Sequence, residues 1–239
     1  MIRFVAETGS TNADLLSLGD AAREGDWLVA LRQSAGRGRA GRQWEDGAGN
    51  FMGSTVVRLQ PADPPAQTLA LVTGLALFDT VGGWVNDGLM LKWPNDLLLD
   101  RAKLAGVLLE RQRDTVVVGV GINLARAPDL ADRRTIALAK RVTAPEPPAF
   151  AEAIAARFAA RLAQWRGGEW PGLRAAWLAR AHPEGAALSV RDRDGAPIAG
   201  TFAGLDADGA ALLRLADGTT RPIHAGDVEL MGDGDASRG

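Results

Sequence analysis

Three short stretches hold most of the residues that could do chemistry. Gln33 to Trp44, QSAGRGRAGRQW, interleaves Arg37, Arg39 and Arg42 with Gly36, Gly38 and Gly41. Glycine lets backbone N–H groups approach an anion closely, and guanidinium forks grip phosphate or carboxylate oxygens in pairs. Such a loop suits a polyphosphate, although a merely solvated loop has the same composition. A second stretch, LKWPNDLLLD, groups Lys92, Trp93, Asn95 and Asp96 around a Pro-Asn turn, which by itself is ordinary turn chemistry. A third, KLAGVLLE, sets Lys103 at the start of an otherwise apolar strand, where Gly106 permits close backbone approach.

Composition removes several classes of function. Gly36, Gly38 and Gly41 also spell G-x-G-x-x-G, but a dinucleotide site needs a helix straight after the glycines, within a parallel unit. Here RQWEDGAGN brings two more glycines and leads into another strand, so that reading fails; no Walker A sequence occurs either. The absence of cysteine excludes disulfides, thiolate metal sites and thiol catalysis. His182 and His224 are the only histidines, both in the C-terminal quarter, which argues against a histidine zinc site or a Ser-His-Asp triad. A nucleic-acid-binding module built on the Arg-Gly loop is the reading from another class. The net charge of -2 speaks against it, because holding nucleic acid usually requires a basic surface. No apolar leader opens the chain, and the stretch Leu69 to Phe78 is far shorter than the ~20 residues of a membrane span. The expectation is a cytoplasmic protein without membrane or DNA as partner.

The elements that must position these residues can be read from period and punctuation. Ser10 or Thr11 caps a helix over TNADLLSL, and a strand over 26–33 delivers the chain into the arginine loop. A second strand covers 50–59, and a long buried helix follows Pro64-Pro65. LMLKW, DLLLD, KLAGVLLE and TVVVGVGINL read as strands separated by tight turns at Pro94-Asn95, Asp100-Arg101 and Arg113-Asp114, hence antiparallel. Helices over 150–165 and from Gly172 come next. From about Glu184 short strands alternate with Asp-Gly at 194–195, 208–209 and 217–218, the texture of a small barrel. With 239 residues and 46% apolar composition, the chain can form one substantial domain, residues 1–182, with an appendage at 183–239.

In this order, GSTN, QSAGRGRAGRQW, GNF, KWPND, KLAG and GVGINL resemble the consecutive signatures of the bacterial biotin–protein ligases, from about Thr8 to Asn123. The strand-rich tail is similar to that family's small C-terminal domain in kind rather than in motif. The resemblance implies an α+β fold: a mixed, mainly antiparallel sheet backed by helices, class II synthetase-like, followed by an SH3-like β-barrel. It implies an ATP-dependent, AMP-forming enzyme that makes biotinyl-5′-AMP with Mg²⁺, then passes biotin to one lysine of a biotin carboxyl carrier domain. Ser10, Thr11, Asn12 and Gln33 match the segments that meet the biotin ureido ring. Arg37, Gly38 and Arg39 match the loop that closes over biotin and the adenylate phosphate, with Arg42 beside it toward the nucleotide. Trp44 matches an aromatic packed beside the adenylate, and Asn95, Gly106 and Asn123 fall at positions used around the nucleotide. Lys103 matches a lysine associated with biotin and with catalysis, a role shared with Arg39.

The chemistry asks for the same residue types. A carboxylate attacking a phosphoryl centre brings two anions together, and arginines and a lysine offset that repulsion. A lipoate–protein ligase is the alternative enzyme, with the same two-step logic. The family often carries Leu-Tyr after the position of Asn50, whereas this chain has Phe51-Met52 and no tyrosine. Because the motifs begin at Thr8, the form without a leading DNA-binding domain is expected. Homodimers are common in the family, so the resemblance also allows a second copy of this chain as a partner.

Overall fold

The structure is a computed structural model describing residues 1–45, 47–191, 197–224 and 226–230, with only the backbone of Asp227 and Glu229 described. Its organising element is a seven-stranded sheet of β1 (Ile2–Val5), β2 (Trp27–Ala30), β3 (Phe51–Arg58), β4 (Leu89–Lys92), β5 (Asp96–Leu99), β6 (Ala102–Gln112) and β7 (Thr115–Ile122). The spatial order is β1-β2-β3-β7-β6-β5-β4. Only the β1–β2 pair is parallel; the others are antiparallel, as tight connections require. The sheet is mixed because β1, too short to show a period in the sequence, pairs parallel to β2 at its edge, Ile2 with Trp27.

Period-two patterning assigns the two faces of the central strands. Phe51, Val118, Val120, Ile122, Ala105 and Val107 face a core closed by α2 (Leu69–Val81) and α3 (Pro147–Arg166). Helix α2 is apolar almost all round, as a helix enclosed on both sides must be. Its two buried threonines satisfy their hydroxyls on the preceding turn: Thr73 donates to the Leu69 carbonyl and Thr80 to that of Ala76. Helix α3 opens on Pro147, three residues earlier than expected, because proline is preorganised for a first helical turn. Phe150, Ile154, Phe158, Leu162 and Trp165 form its buried stripe. Against the opposite face of the sheet lies α1 (Thr11–Leu18), capped by Ser10 as the sequence indicated. The turn at Asp100-Arg101 has both residues at positive φ, 51° and 62°, the geometry of a two-residue hairpin.

After α4 (Trp170–Leu178) come β8 (Ala187–Arg191), β9 (Ile198–Leu205), β10 (Ala211–Arg214), β11 (Thr220–Ile223) and β12 (Asp227–Leu230). They form a second, antiparallel sheet of order β11-β10-β9-β8-β12. The expected barrel is therefore an open sheet among the described residues, with β11 and β12 as edges and no ladder between them. Pro222 in β11 lacks the N–H that a further ladder would use, which suits an edge. The Asp194-Gly195 turn and the residues from 231 onward lie outside the described residues. Two tryptophans tie the second sheet to the rest of the chain: Trp93, just after β4, donates to the Gly209 carbonyl at 3.0 Å, and Trp170, at the start of α4, to that of Ala207 at 2.6 Å. Among the described residues no helix is long and apolar enough to cross a membrane.

Candidate active site

The cleft is floored by glycine because of strand register. Gly121 on β7 lies opposite Gly106 on β6, and Gly119 lies between Leu108 on β6 and Ser54 on β3. Alternation points all of these to the α1 side of the sheet. The Trp44 indole lies on this floor, where a Cβ at Gly121 would come within 2.4 Å of the ring. A Cβ at Gly119 would meet the Asn12 side chain at 2.3 Å. Missing side chains thus make room for a ring and an amide to approach backbone. The space around this floor is about 1570 Å³, and every site residue named from the sequence lines it.

One end is a closed polar network on the first turn of α1. Ser10, Thr11, Asn12, Gln33 and Ser54 are all buried. The Gln33 Oε1 accepts from the Thr11 backbone N–H at 2.8 Å, with the Thr11 hydroxyl at 3.1 Å. That hydroxyl lies 2.7 Å from Ser54 Oγ, which donates to Asn12 Oδ1 at 2.6 Å. Asn12 Nδ2 donates to Glu110 Oε2 at 2.9 Å. These short side chains present hydroxyl and amide groups to the cleft without a fixed charge among them, apart from Glu110 behind.

The other end is basic. Gly36 to Trp44 folds back as a tight hairpin: Trp44 donates to the Gly36 carbonyl at 3.0 Å and Gly38 to that of Arg42 at 2.7 Å. Arg37 reaches Glu110 at 3.0 Å, and Arg39 donates to Asn95 Oδ1 at 3.2 Å and to the Gly226 carbonyl at 3.4 Å. Arg42 turns back to donate to the Arg39 carbonyl. Asn95 is itself fixed by donating to the Val107 carbonyl at 2.6 Å. Lys103 is held by backbone on both sides: its N–H donates to the Arg134 carbonyl and its carbonyl accepts from Ile136. Its ammonium lies 2.7 Å from Asp96 Oδ1 and 5.9 Å from the centre of the Trp44 ring. Asp96 Oδ1 lacks a well-aligned hydrogen bond, so this contact is an ion pair by distance, with both side chains largely buried. Asn123 sits behind, donating to the Lys103 and Ile136 carbonyls, with its Oδ1 buried and unpartnered.

The comparisons with known proteins agree with this geometry. Residues 4–124 match the Biotin/lipoate A/B protein ligase family, and residues 189–231 match the Biotin protein ligase C terminal domain. The chain belongs to the biotin/lipoate A/B protein ligase family. It is 39% identical over 224 residues to a biotin--[acetyl-CoA-carboxylase] ligase of Paracoccus denitrificans, covering 88% of this chain and 93% of the relative. It is 38% identical over 236 residues to the ligase of the same name from Mycobacterium tuberculosis, covering 94% and 86%. The fold is similar to a biotin protein ligase from Aquifex aeolicus solved in complex with biotin and ATP, with a TM-score of 0.84 at 25% identity, over 96% of this chain and 97% of that one.

Within this member of the ligase family, the structure adds residues to those given a role from the sequence. Asp96, Glu110 and Ser54 are bonded directly to named residues. Glu110 was visible as the residue four positions after Gly106, and so on the same strand face. Arg126, Arg133 and Arg134, from the segment after β7, line the basic end. Their signal was an Arg/Asp-rich stretch with no regular period, which does not reveal where a chain returns. Among the described residues no group of three metal-ligating side chains occurs.

Proposed function

We propose that this chain is a biotin–protein ligase acting on a carboxylase carrier domain in the cytoplasm. The observation that carries this reading is one cleft with chemically opposite ends over a glycine floor. A ureido ring offers two N–H donors and one carbonyl, and Ser10, Thr11, Asn12, Gln33 and Ser54 answer with hydroxyl and amide groups. An acyl chain running from these groups past Asn12 and Trp44, which cover Gly119 and Gly121, would bring its carboxylate toward Lys103, Arg37 and Arg39. ATP then places its α-phosphorus there, with Trp44, Asn95, Gly106, Arg42 and Asn123 around the nucleotide. Residues 1–182 form the catalytic unit in this reading, and 183–239 the C-terminal one.

In the first step the biotin carboxylate attacks the α-phosphorus and pyrophosphate leaves. Lys103 and Arg39 stabilise the charge gathering on the phosphoryl oxygens, and Asp96 holds the Lys103 ammonium in place. Mg²⁺, when bound with ATP, would neutralise phosphate charge. The protein fits it only sparsely, with Asp96 as the carboxylate beside Lys103, which suffices for an ion held largely by phosphates and water. In the second step a carrier lysine attacks the mixed anhydride, the C–N bond forms, and AMP leaves with its oxygen. No side-chain nucleophile is required, in keeping with the lack of cysteine.

ATP–pyrophosphate exchange with biotin and lipoate side by side tests the reading. Exchange driven by biotin alone supports it. Exchange driven by lipoate alone transfers the site to the other branch of the family. A gel shift without salt-sensitive retention disposes of the Arg-Gly nucleic-acid reading.

A further inference from the structure

The two ends of the cleft share one carboxylate. Glu110 accepts from Asn12 Nδ2 through Oε2 at 2.9 Å and from Arg37 through Oε1 at 3.0 Å. We propose that Glu110 is a positioning residue that sets the polarity of the Asn12 amide and, through the same carboxylate, holds the arginine hairpin near the cleft. The inference rests on the functional reading above for its ligand, though not for its geometry.

The first half follows from donors and acceptors. An asparagine amide has two nearly equal ends, and only its nitrogen can donate to a carboxylate. With Nδ2 committed to Glu110, Oδ1 must face Ser54 Oγ, which stands 2.6 Å away and donates to it. The Ser54 proton being spent there, Ser54 Oγ can only accept, so the single Thr11 hydroxyl proton goes to Ser54 at 2.7 Å rather than to Gln33 Oε1 at 3.1 Å, which keeps the Thr11 backbone N–H. One carboxylate at the end of the row therefore orients the hydroxyls and the amide that face the ligand. Glutamine at position 110 could donate as well as accept, and either orientation of Asn12 would then be allowed.

The second half concerns Arg37, whose side chain is half exposed and belongs to a hairpin with little to bury. Its contact with Glu110 spans 73 positions of sequence and ties the hairpin to rigid β6. An exposed pair of this kind is weak, so it can hold the hairpin while leaving Arg37 free to exchange Glu110 for a phosphate. Glu110 touches neither reacting atom in this reading and acts through Asn12 and Arg37.

Two measurements on Glu110→Gln test both halves. Biotin affinity, measured by calorimetry without ATP, should weaken about tenfold, the loss of one oriented hydrogen bond. In steady state the KM for biotin should rise while kcat changes by less than about threefold, a split that general destabilisation does not produce. Without ligand, trypsin should cut after Arg37 about three to five times faster than in the wild type, as the guanidinium is released. A wild-type biotin affinity, or a wild-type cutting rate, in a variant that melts cooperatively overturns the proposal. Should Glu110→Gln not fold, Glu110→Asp keeps the charge but draws it back by one methylene, and the same two readouts decide. If wild-type protein binds no biotin, the functional reading fails, and the trypsin comparison still decides whether Glu110 holds Arg37.

Discussion

The polar end and the basic end of the cleft are built on different principles. At the polar end Thr11, Asn12, Gln33 and Ser54 are buried and hydrogen-bond one another, with Ser10 capping α1 beside them, so the surface offered to a ligand exists before the ligand arrives. At the basic end Arg37, Arg39 and Arg42 stand on a hairpin closed by a few backbone bonds, with side-chain contacts at 3.0 to 3.4 Å that reach across to Glu110, Asn95 and the Gly226 carbonyl. Buried polar groups must be satisfied internally, whereas the exposed Arg37 can exchange its Glu110 contact for an anion at little cost. In the proposed reading, recognition of the uncharged ring is thus preorganised, while the grip on phosphate is completed by the substrate.

The largest expected effect lies where the two ends meet. Lys103→Ala should slow adenylate formation by about 10²–10³, the usual cost of losing one stabilising charge. It should also lower stability, because Asp96 would be left largely buried without its ion-pair partner. Adding Asp96→Asn should restore much of the stability and none of the rate. If Lys103→Ala retains near-normal pyrophosphate exchange, the lysine has no part in the chemistry.

A smaller effect is expected at the floor. Gly121→Ala would drive a methyl group into the Trp44 ring, and displacing a packed ring costs about 1–3 kcal/mol. ATP binding should weaken about tenfold, with biotin affinity less affected because the polar network lies farther along the strand. Equal losses for both ligands would mean that the two ends are not separable.

The junction between the sheets supplies a control on both. His182 is buried against Phe202, with ring centres 4.2 Å apart and neither nitrogen hydrogen-bonded. Burial, and then the nearby Lys92 charge, push its pKa down to about 4. The unfolded chain therefore binds this proton first. The contribution is fully present above pH 6.5 and is lost as pH falls toward about 4, at roughly 1.4 kcal/mol per unit. From pH 7 to pH 5 the urea midpoint of the wild type should fall further than that of His182→Leu; equal falls would show that His182 does not titrate in this window.

The smallest effect separates the ends most cleanly. Biotin with MgATP should protect Arg37, Arg39 and Arg42 from trypsin several-fold, and ATP alone should protect less. Equal cutting under all conditions would mean that the hairpin does not close on phosphate.

What the sequence disclosed follows the same division. Capping by Ser10, the turn at Asp100-Arg101 and the face of KLAGVLLE are local properties, legible from spacing. The motifs led to thirteen residues that the fold gathers into one cleft. Ser54 escaped notice because GSTVV reads as strand filler, and its importance comes from the register that places it beside Gly119. The arginines at 126, 133 and 134 were visible as charge, but their return depends on long-range pairing of 134–136 with Lys103, which no local pattern encodes. The edge strand β1 was hidden in a terminal stretch too short to show a period.

The central claim is that one cleft activates biotin with ATP and delivers it to a protein lysine. Incubating the purified protein with biotin, MgATP and an apo biotin carboxyl carrier domain, then weighing the carrier by mass spectrometry, tests it most directly. The predicted result is a single added biotinyl group on one carrier lysine, dependent on ATP and abolished or greatly slowed by Lys103→Ala. An unmodified carrier, from protein that is folded and saturated with both substrates, would contradict it.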